Sequence, residues 1–348
     1  MIRPAEPSDA AAIGALDARP AHEGHALVVE AHDGSVVGLV HARPHGSVWH
    51  LEQLVVHPGS RGKGIGGDLL DAIEGHARDA GALAISLRTY RDVPWNAPWF
   101  LRRGYEVMEP PPSSMDDIVA AEAAAGLLDG PPRVAMLRQL VEPVTPRVAV
   151  SVVPLRDGPG GLEVFVQHRA ATMDFAAGAV VFPGGRVDPA DRAAKGDAAA
   201  HEEAATAWSQ TSVTDGDVLA ALRAAAVREL AEETGLRVDP ARLLPWDSWV
   251  TPAASPKRFD VSFFVLADDE EVLANTTTEA VRAGWEPVAE VLRQWEAGDL
   301  YLMTPTRVIL AEVLRLGTVA GVVAYEPVIE PGRRDGAAIR PRRSSQPR

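Results

Sequence analysis

The chain has no cysteine among its 348 residues. Disulfides and thiolate nucleophiles are therefore excluded. Positive charge is also short: 34 lysines and arginines stand against 48 aspartates and glutamates, a formal net charge of −14. A field of that sign repels nucleic acid, which is not an expected partner. The one basic cluster, residues 333–348 with Arg333, Arg334, Arg340, Arg342, Arg343 and Arg348, has little to bury and reads as a disordered end. Long apolar runs are missing too. No stretch of about 18 apolar residues offers a membrane span. Residues 1–6, acidic and interrupted by Pro4, lack the apolar core of a secretory leader. A cytoplasmic protein without a membrane partner is the expectation.

What remains is an ordinary globular composition, 46% hydrophobic and 24% charged, over a length that suits two domains of about 150 residues. The division is expected at 141–146, where Pro143 and Pro146 stiffen the chain and forbid helix. The expected order is a first domain over 1–140, that linker, a second domain over 147–324, and a basic tail over 325–348.

The most informative stretch is Arg228-Glu229-Leu230-Ala231-Glu232-Glu233-Thr234-Gly235-Leu236. Residues at i, i+3 and i+4 share one helix face, so Glu229, Glu232 and Glu233 form a row of carboxylates. Such oxygens suit hard divalent ions, Mg²⁺ or Mn²⁺, which also bind phosphate oxygens; the chemistry expected is attack on a phosphoanhydride. Arg228, one turn before Glu232, is placed to orient it. Taken alone, the run also reads as a solvated acidic face. Upstream, Phe182-Pro183-Gly184-Gly185-Arg186-Val187-Asp188-Pro189-Ala190-Asp191 ends a strand-like run in a glycine turn with acidic residues beyond.

Together the two segments resemble a Nudix box split by an insertion. Gly185 stands in the family's glycine position, Asp191 where the family has a glutamate, and the 36 residues 192–227 replace a much shorter spacer. The shorter carboxylate is expected to weaken a contact to the loop. The insertion proper, at about 192–216, is expected to bulge outward as a loop or extra helix, with turn and helix meeting at its base. Within it, His201-Glu202-Glu203 looks ligand-like but reads more simply as surface. The resemblance implies an α/β/α sandwich that hydrolyses a nucleoside diphosphate linked to another moiety. It implies metal held by Glu229, Glu232, Glu233 and Gly185, with Glu229 and Glu232 catalytic. Leu219, Leu222, Ala226 and Leu230 would be the helix's buried side. Glu279 holds the position of a later carboxylate that completes such sites or serves as base. Asp260 ranks below it, because the alternation of 259–263 suits the polar face of a strand.

Residues 164–169, running through Met173 and Gly178 into Val181, resemble the lead-in of CoA diphosphatases. Thr251-Pro252, residues 256–260 and Thr304-Pro305-Thr306 resemble the acyl-CoA branch with an inserted box. The substrate implied is CoA or acyl-CoA, cleaved to 3′,5′-ADP and phosphopantetheine, with Arg169, Lys257 and Arg258 as phosphate contacts. A nucleotide sugar, a dinucleotide or an oxidised nucleotide stays open as the substrate.

The first half has its own grammar. Residues 49–57 read as a strand broken by Pro58-Gly59-Ser60, 66–80 as an amphipathic helix capped by Gly81, and 84–89 as another strand. Between strand and helix, Arg61-Gly62-Lys63-Gly64-Ile65-Gly66 lets backbone N–H groups approach an anion at a helix N-terminus. A plain tight turn would read the same. The order of strand, glycine loop, helix, strand, then Asn96 before a helix ending at Gly104-Tyr105, resembles the GNAT acetyltransferase family over 1–140. A mixed sheet with helices and an acetyl-CoA or CoA site are implied. Leu54, Val55 and Val56 would pair with the pantetheine arm, Arg61, Gly62, Lys63, Gly64, Ile65 and Gly66 would hold the pyrophosphate, and Asn96 would contact the arm from the other side. Glu52 is the candidate general base, with an exposed strand carboxylate as its bland alternative. Phe100 stands where the family's acidic tyrosine would be, so a working amine acetyltransferase and a CoA sensor both fit. A regulator that binds ligands without turnover is the reading from outside enzymology. The sequence fixes no oligomeric state.

Overall fold

A computed structural model describes residues 1–16, 24–109, 111, 115–170, 178–267, 280–327, 329 and 331–332. The chain divides into two compact units, the first Met1–Thr145 and the second opening at Pro146.

The first unit is a seven-stranded mixed sheet in the order β1-β2-β3-β4-β5-β7-β6. The strands are β1 (Ile2–Pro4), β2 (His25–Glu30), β3 (Val36–His45), β4 (Val48–Val56), β5 (Ala84–Tyr90), β6 (Glu106–Met108) and β7 (Arg133–Gln139). The helices are α1 (Ala10–Ala15), α2 (Ile65–Asp79), α3 (Ala97–Leu101) and α4 (Asp116–Ala124). Leu69, Leu70, Ile73 and Ala77 recur at helical spacing and bury one face of α2 against Trp49, Leu51, Ile85 and Met136. β4 and β5 run parallel and pair only from Val48↔Ala84 to Leu51↔Leu87. Beyond Leu51, β4 keeps β3 as neighbour but has no partner on its β5 side among the described residues. A bulge sits at that point: His41 faces Gln53 while Ala42 faces Leu51, leaving Glu52 as the extra residue.

In the second unit the strands are β8 (Arg147–Gly158), β9 (Gly161–Arg169), β10 (Ala179–Val181), β11 (Gly184–Arg186), β12 (Leu244–Val250), β13 (Phe259–Ala267), β14 (Ala280–Pro287), β15 (Tyr301–Leu302) and β16 (Pro331–Gly332). Their order is β15-β10-β9-β8-β13-β12-β16, with β11 on β8 and β14 on β9. The helices are α5 (Ala198–Thr206), α6 (Gly216–Thr234), α7 (Val288–Glu296), α8 (Thr304–Leu316) and α9 (Val319–Val323). Successive strand residues point to opposite faces, and both faces are apolar. Val150, Val152, Phe165, Phe264 and Leu266 pack against α5 and α6. Val153, Leu155, Val164, Val166 and Val265 pack against α7 and α8. Helices on both sides of a buried sheet make an α/β/α sandwich. Leu219, Leu222, Ala226 and Leu230 are the buried face of α6.

The insertion does not bulge outward. Its α5 lies along α6 and sends Ala200, Ala204 and Trp208 into the core, with Trp208 fully buried against Phe264. Its polar residues close the packing. Glu203 accepts from Arg223 (2.8 Å) and from Trp208 Nε1 (3.3 Å), and His201 Nδ1 accepts from the Gly216 N–H (3.1 Å). These two residues thus serve the fold. Replacing Trp208 by alanine removes a large core side chain and is expected to cost about 3–5 kcal/mol, read as a lowered midpoint in urea unfolding of the full chain.

Candidate functional site

In the second unit the box is built where β8 changes partner. β9 pairs with β8 only over Leu155–Gly158 on β8, and β11 takes that edge at 149–151. The glycine turn enters this fork. Gly184 has φ +155°, and a Cβ there would lie 2.3 Å from the Val150 carbonyl oxygen; a Cβ on Gly185 would lie 2.3 Å from Glu229 Oε1. Only glycine lets the turn backbone come this close to both strand and helix.

Arg228 ties the parts together. Its Nε and Nη2 donate to Asp191 Oδ1 (3.2 Å) and Oδ2 (2.9 Å), Nη2 also to the Arg186 carbonyl (2.9 Å), and Nη1 to Glu229 (2.9 Å) and Glu232 (3.2 Å). Glu233 accepts from the Gly184 N–H (3.0 Å) and from Gln167 Nε2 (3.2 Å). Asp191 does not lose its loop contact for being short. The turn Asp191–Ala193 brings it within reach, so it grips Arg228 and accepts from the Asp188 N–H (2.8 Å). Burial raises the Glu229 pKa against the pull of Arg228, and the charges of Glu232 and Asp188 push it the same way.

The predicted metal ligands Glu229, Glu232, Glu233 and Gly185 surround one turn, but the carboxylates do not converge. No group of three or more acidic or histidine side chains placed to hold an ion occurs among the described residues. The reason is electrostatic: each carboxylate turns to the nearest donor, two to Arg228 and one to Gly184, rather than toward one another. The donor chemistry still fits a hard divalent cation, being all oxygen, with a glycine where any side chain would block Glu229.

Of the predicted phosphate contacts, Arg169 lies two residues beyond Gln167 on β9 and so shares its α6 side. Arg258 sits elsewhere: its Nε donates to the Thr251 carbonyl (3.0 Å), and β13 begins opposite Arg147, roughly 10 Å along β8 from the Val150 level that faces Gly185. Lys257 is exposed in the preceding loop. Asp260 lies within β13. Glu279 and Met173 lie outside the described residues. Sequence reasoning assigned no role to Gln167 or to the cluster in which His168 Nε2 meets Glu286 (2.8 Å) and Arg282 (2.8 Å). Burial pushes Glu286 up, but His168 and Arg282 prevail and hold its carboxyl below the usual range. The period of β9, which sets Gln167 beside Phe165, was the signal for the first; the second needed the β9–β14 register.

In the first unit, Gly62 (φ +76°) and Gly64 (φ +88°) turn the chain into α2 with open space around them. The N–H groups of Gly62, Lys63, Gly64, Ile65 and Gly66 find no acceptor among the described residues. Arg61 Nε donates to the Val56 carbonyl (3.2 Å) and Lys63 Nζ to the Gly59 carbonyl (3.2 Å). Leu54, Val55 and Val56 lie on the stretch of β4 that lacks a β5 partner. Asn96 precedes α3, its side chain making no cap bond. Glu52, at the bulge, forms an ion pair with Arg43 (2.9 Å) and lies 3.2 Å from His41 Nδ1. Phe100 is buried against Tyr105, whose hydroxyl donates to buried Glu74 (2.8 Å); burial raises that phenol far above its usual pKa.

Asp191 sets a pH test. Burial favours its neutral form, but the Arg228 bonds, the Asp188 N–H and the guanidinium charge outweigh this and lower its pKa. A carboxyl depressed on folding stabilises above its unfolded pKa of about 3.9 and loses that contribution as pH falls through the folded value. The stability gap between wild type and Asp191→Asn is therefore expected to be constant from neutral pH to about 5 and to narrow below about 4, measured by urea unfolding across pH.

Comparison with known proteins matches residues 3–105 to the acetyltransferase (GNAT) family and residues 217–305 to the NUDIX domain. A Caenorhabditis elegans protein assigned as nudix hydrolase 7 is 32% identical over 171 residues, 45% of this chain and 56% of that protein, so the chain spans little more than half the length of this relative. A NUDIX hydrolase structure from Alicyclobacillus acidocaldarius aligns at 25% identity over 53% of this chain and 98% of that one, TM-score 0.43. N-acetylglutamate synthase from Neisseria gonorrhoeae, complexed with coenzyme A and N-acetyl-glutamate, aligns at 22% identity over 40% of this chain and 35% of that one, TM-score 0.32. The chain thus joins an N-terminal region that matches the acetyltransferase (GNAT) family model to a C-terminal region that matches the NUDIX domain model.

Proposed function

We propose that the second unit is a divalent-metal-dependent hydrolase of a nucleoside diphosphate linkage, and that its substrate is CoA or an acyl-CoA. The observation that carries this is the Arg228 hub, which holds Glu229 and Glu232 beside the Gly185 turn while Gly184 and Gln167 hold Glu233. Glu229, Glu232, Glu233 and the Gly185 backbone would hold Mg²⁺ or Mn²⁺. When bound, that ion supplies charge neutralisation on the phosphates and a more acidic water. The chain's own part is to fix the carboxylates: Arg228 sets Glu229 and Glu232, the Gly184 N–H and Gln167 set Glu233, and Arg169 on the same side of β9 offers a guanidinium to phosphate oxygens.

The first unit is read as an acyl-CoA site. The unpaired stretch of β4 offers backbone groups to an amide-bearing arm, and the N–H groups of 62–66 offer donors to a diphosphate. Two halves that both take CoA-type ligands give the fusion a chemical rationale, since one would handle the thioester and the other the diphosphate of the same molecule. With Phe100 apolar and the Tyr105 hydroxyl held by Glu74, protonation of a leaving thiolate would fall to water.

CoA incubated with the protein and Mg²⁺ or Mn²⁺ is expected to yield 3′,5′-ADP and 4′-phosphopantetheine on chromatography. Glu232→Gln is expected to lower the rate by about a hundredfold or more. CoA that stays intact while a nucleotide sugar, dinucleotide or oxidised nucleotide is cleaved would move the substrate and keep the hydrolase.

A further inference from the structure

On the first unit's sheet, the face turned away from α2 carries a cationic cluster that the readings above leave unused. Ala42, Trp49, Leu87 and Val134 point into the α2 core, so their strand neighbours Arg43, His50, Arg88 and Arg133 point to the other face. Helix α4 lays Glu122 on it. Arg88 Nε donates to this carboxylate at 2.6 Å, and Arg133 donates through Nε at 3.2 Å and Nη2 at 2.8 Å. Arg43 forms an ion pair with Glu52 (2.9 Å). His50 is buried, meets Ser86 Oγ through Nδ1 (3.1 Å), and is held neutral by that burial and by the nearby charges of His45, Arg43, Arg88 and Arg133. Three guanidiniums face two carboxylates, an excess of positive charge in a chain whose net charge is −14. Two donors here have no hydrogen-bond partner among the described residues: the buried Nη1 of Arg88, whose side chain is only 5% exposed, and the buried Nε of Arg43. Folded proteins leave few such donors unmet.

We propose that this face binds the carboxylate of a small amine-bearing acid, the acyl acceptor of the first unit. The proposal rests on the acyl-CoA reading of that unit. Guanidinium forks suit carboxylates above other small anionic groups of a metabolite other than phosphate, and Glu122 already displays the geometry a carboxylate takes between Arg88 and Arg133. The ligand would use the donors that Glu122 leaves, Arg88 Nη1 first. Arg43 links this face to Glu52, so an acceptor held by its acid group has its amine directed toward the bulge. There the amine nitrogen attacks the thioester carbonyl; the C–N bond forms, the C–S bond breaks, one amine proton passes to Glu52, and the departing thiolate takes a proton from water.

The test uses the full-length protein. Amino acids and amino dicarboxylic acids, each beside its carboxamide, and inorganic phosphate are screened by thermal shift, and CoA is titrated in parallel by calorimetry. At least one acid is expected to raise Tm where its amide does not. Arg88→Met and Arg133→Met should weaken that acid by roughly tenfold or more. Glu122→Gln, which releases two guanidiniums, should tighten it, an outcome that a purely structural clamp cannot give. Arg88→Lys keeps the charge and stands in if Arg88→Met fails to fold. Acids and amides alike without effect, phosphate alone binding, or Glu122→Gln folded but no tighter, would overturn the proposal and leave the arginines as struts for α4. Acid binding without CoA binding would overturn the acyl-CoA reading and keep the carboxylate site; CoA binding without acid binding would do the reverse.

Discussion

The second unit depends on one guanidinium. Arg228 reaches Asp191 at the start of the insertion, the Arg186 carbonyl in the glycine turn, and Glu229 and Glu232 on its own helix. Three segments would otherwise present carboxylates and carbonyl oxygens to one another without this cation among them. Removing one partner of such a part-buried set leaves the rest uncompensated, which costs far more than an exposed pair is worth. The same side chain that organises the fold here therefore also fixes the spacing of the carboxylates that the proposed chemistry uses.

That arrangement tolerates a long insertion for a reason that can be put in magnitudes. Each doubling of a loop costs about 0.6 kcal/mol in closure entropy, so a spacer extended severalfold loses on the order of 1–2 kcal/mol. Burying one large apolar side chain contributes about 1.5–3 kcal/mol. Trp208 alone, fully buried, is enough to offset the penalty, and α5 adds Ala200 and Ala204. An insertion that only bulged into solvent would have had no such compensation, which is why outward bulging was the wrong expectation.

Much of the architecture was legible because it is periodic. The Leu219-Leu222-Ala226-Leu230 stripe places α6 and its buried side, and glycines at 62, 64, 184 and 185 mark the turns that strand and helix patterns leave between them. The carboxylate row was legible for the same reason. The partners of those carboxylates were not, because they come from other segments. Gln167 reaches Glu233 only through the fork between β8 and β9, and Glu286 meets His168 only through the β9–β14 register. A similar limit bears on Arg258, which the resemblance to the acyl-CoA branch implied as a phosphate contact. The parallel pairing of β13 with β8 is set by residues far away in the chain, and it carries Arg258 past the level of Gly185.

The two units place their sites by the same device. In each, a strand keeps one neighbour along its length and parts from the other partway: β4 leaves β5 after Leu51, and β8 exchanges β9 for β11. A strand edge opened inside a sheet exposes backbone groups that a closed ladder would consume, without creating the free outer edge that invites aggregation. Glycine then decides what enters. At Gly62 and Gly64 the backbone is left facing open space; at 184–185 it is pressed against Val150 and Glu229, so the loop itself fills the fork. One opening thus leaves its backbone accessible, the other is filled by its own loop, and the difference lies in a few glycine positions rather than in the sheets that carry them.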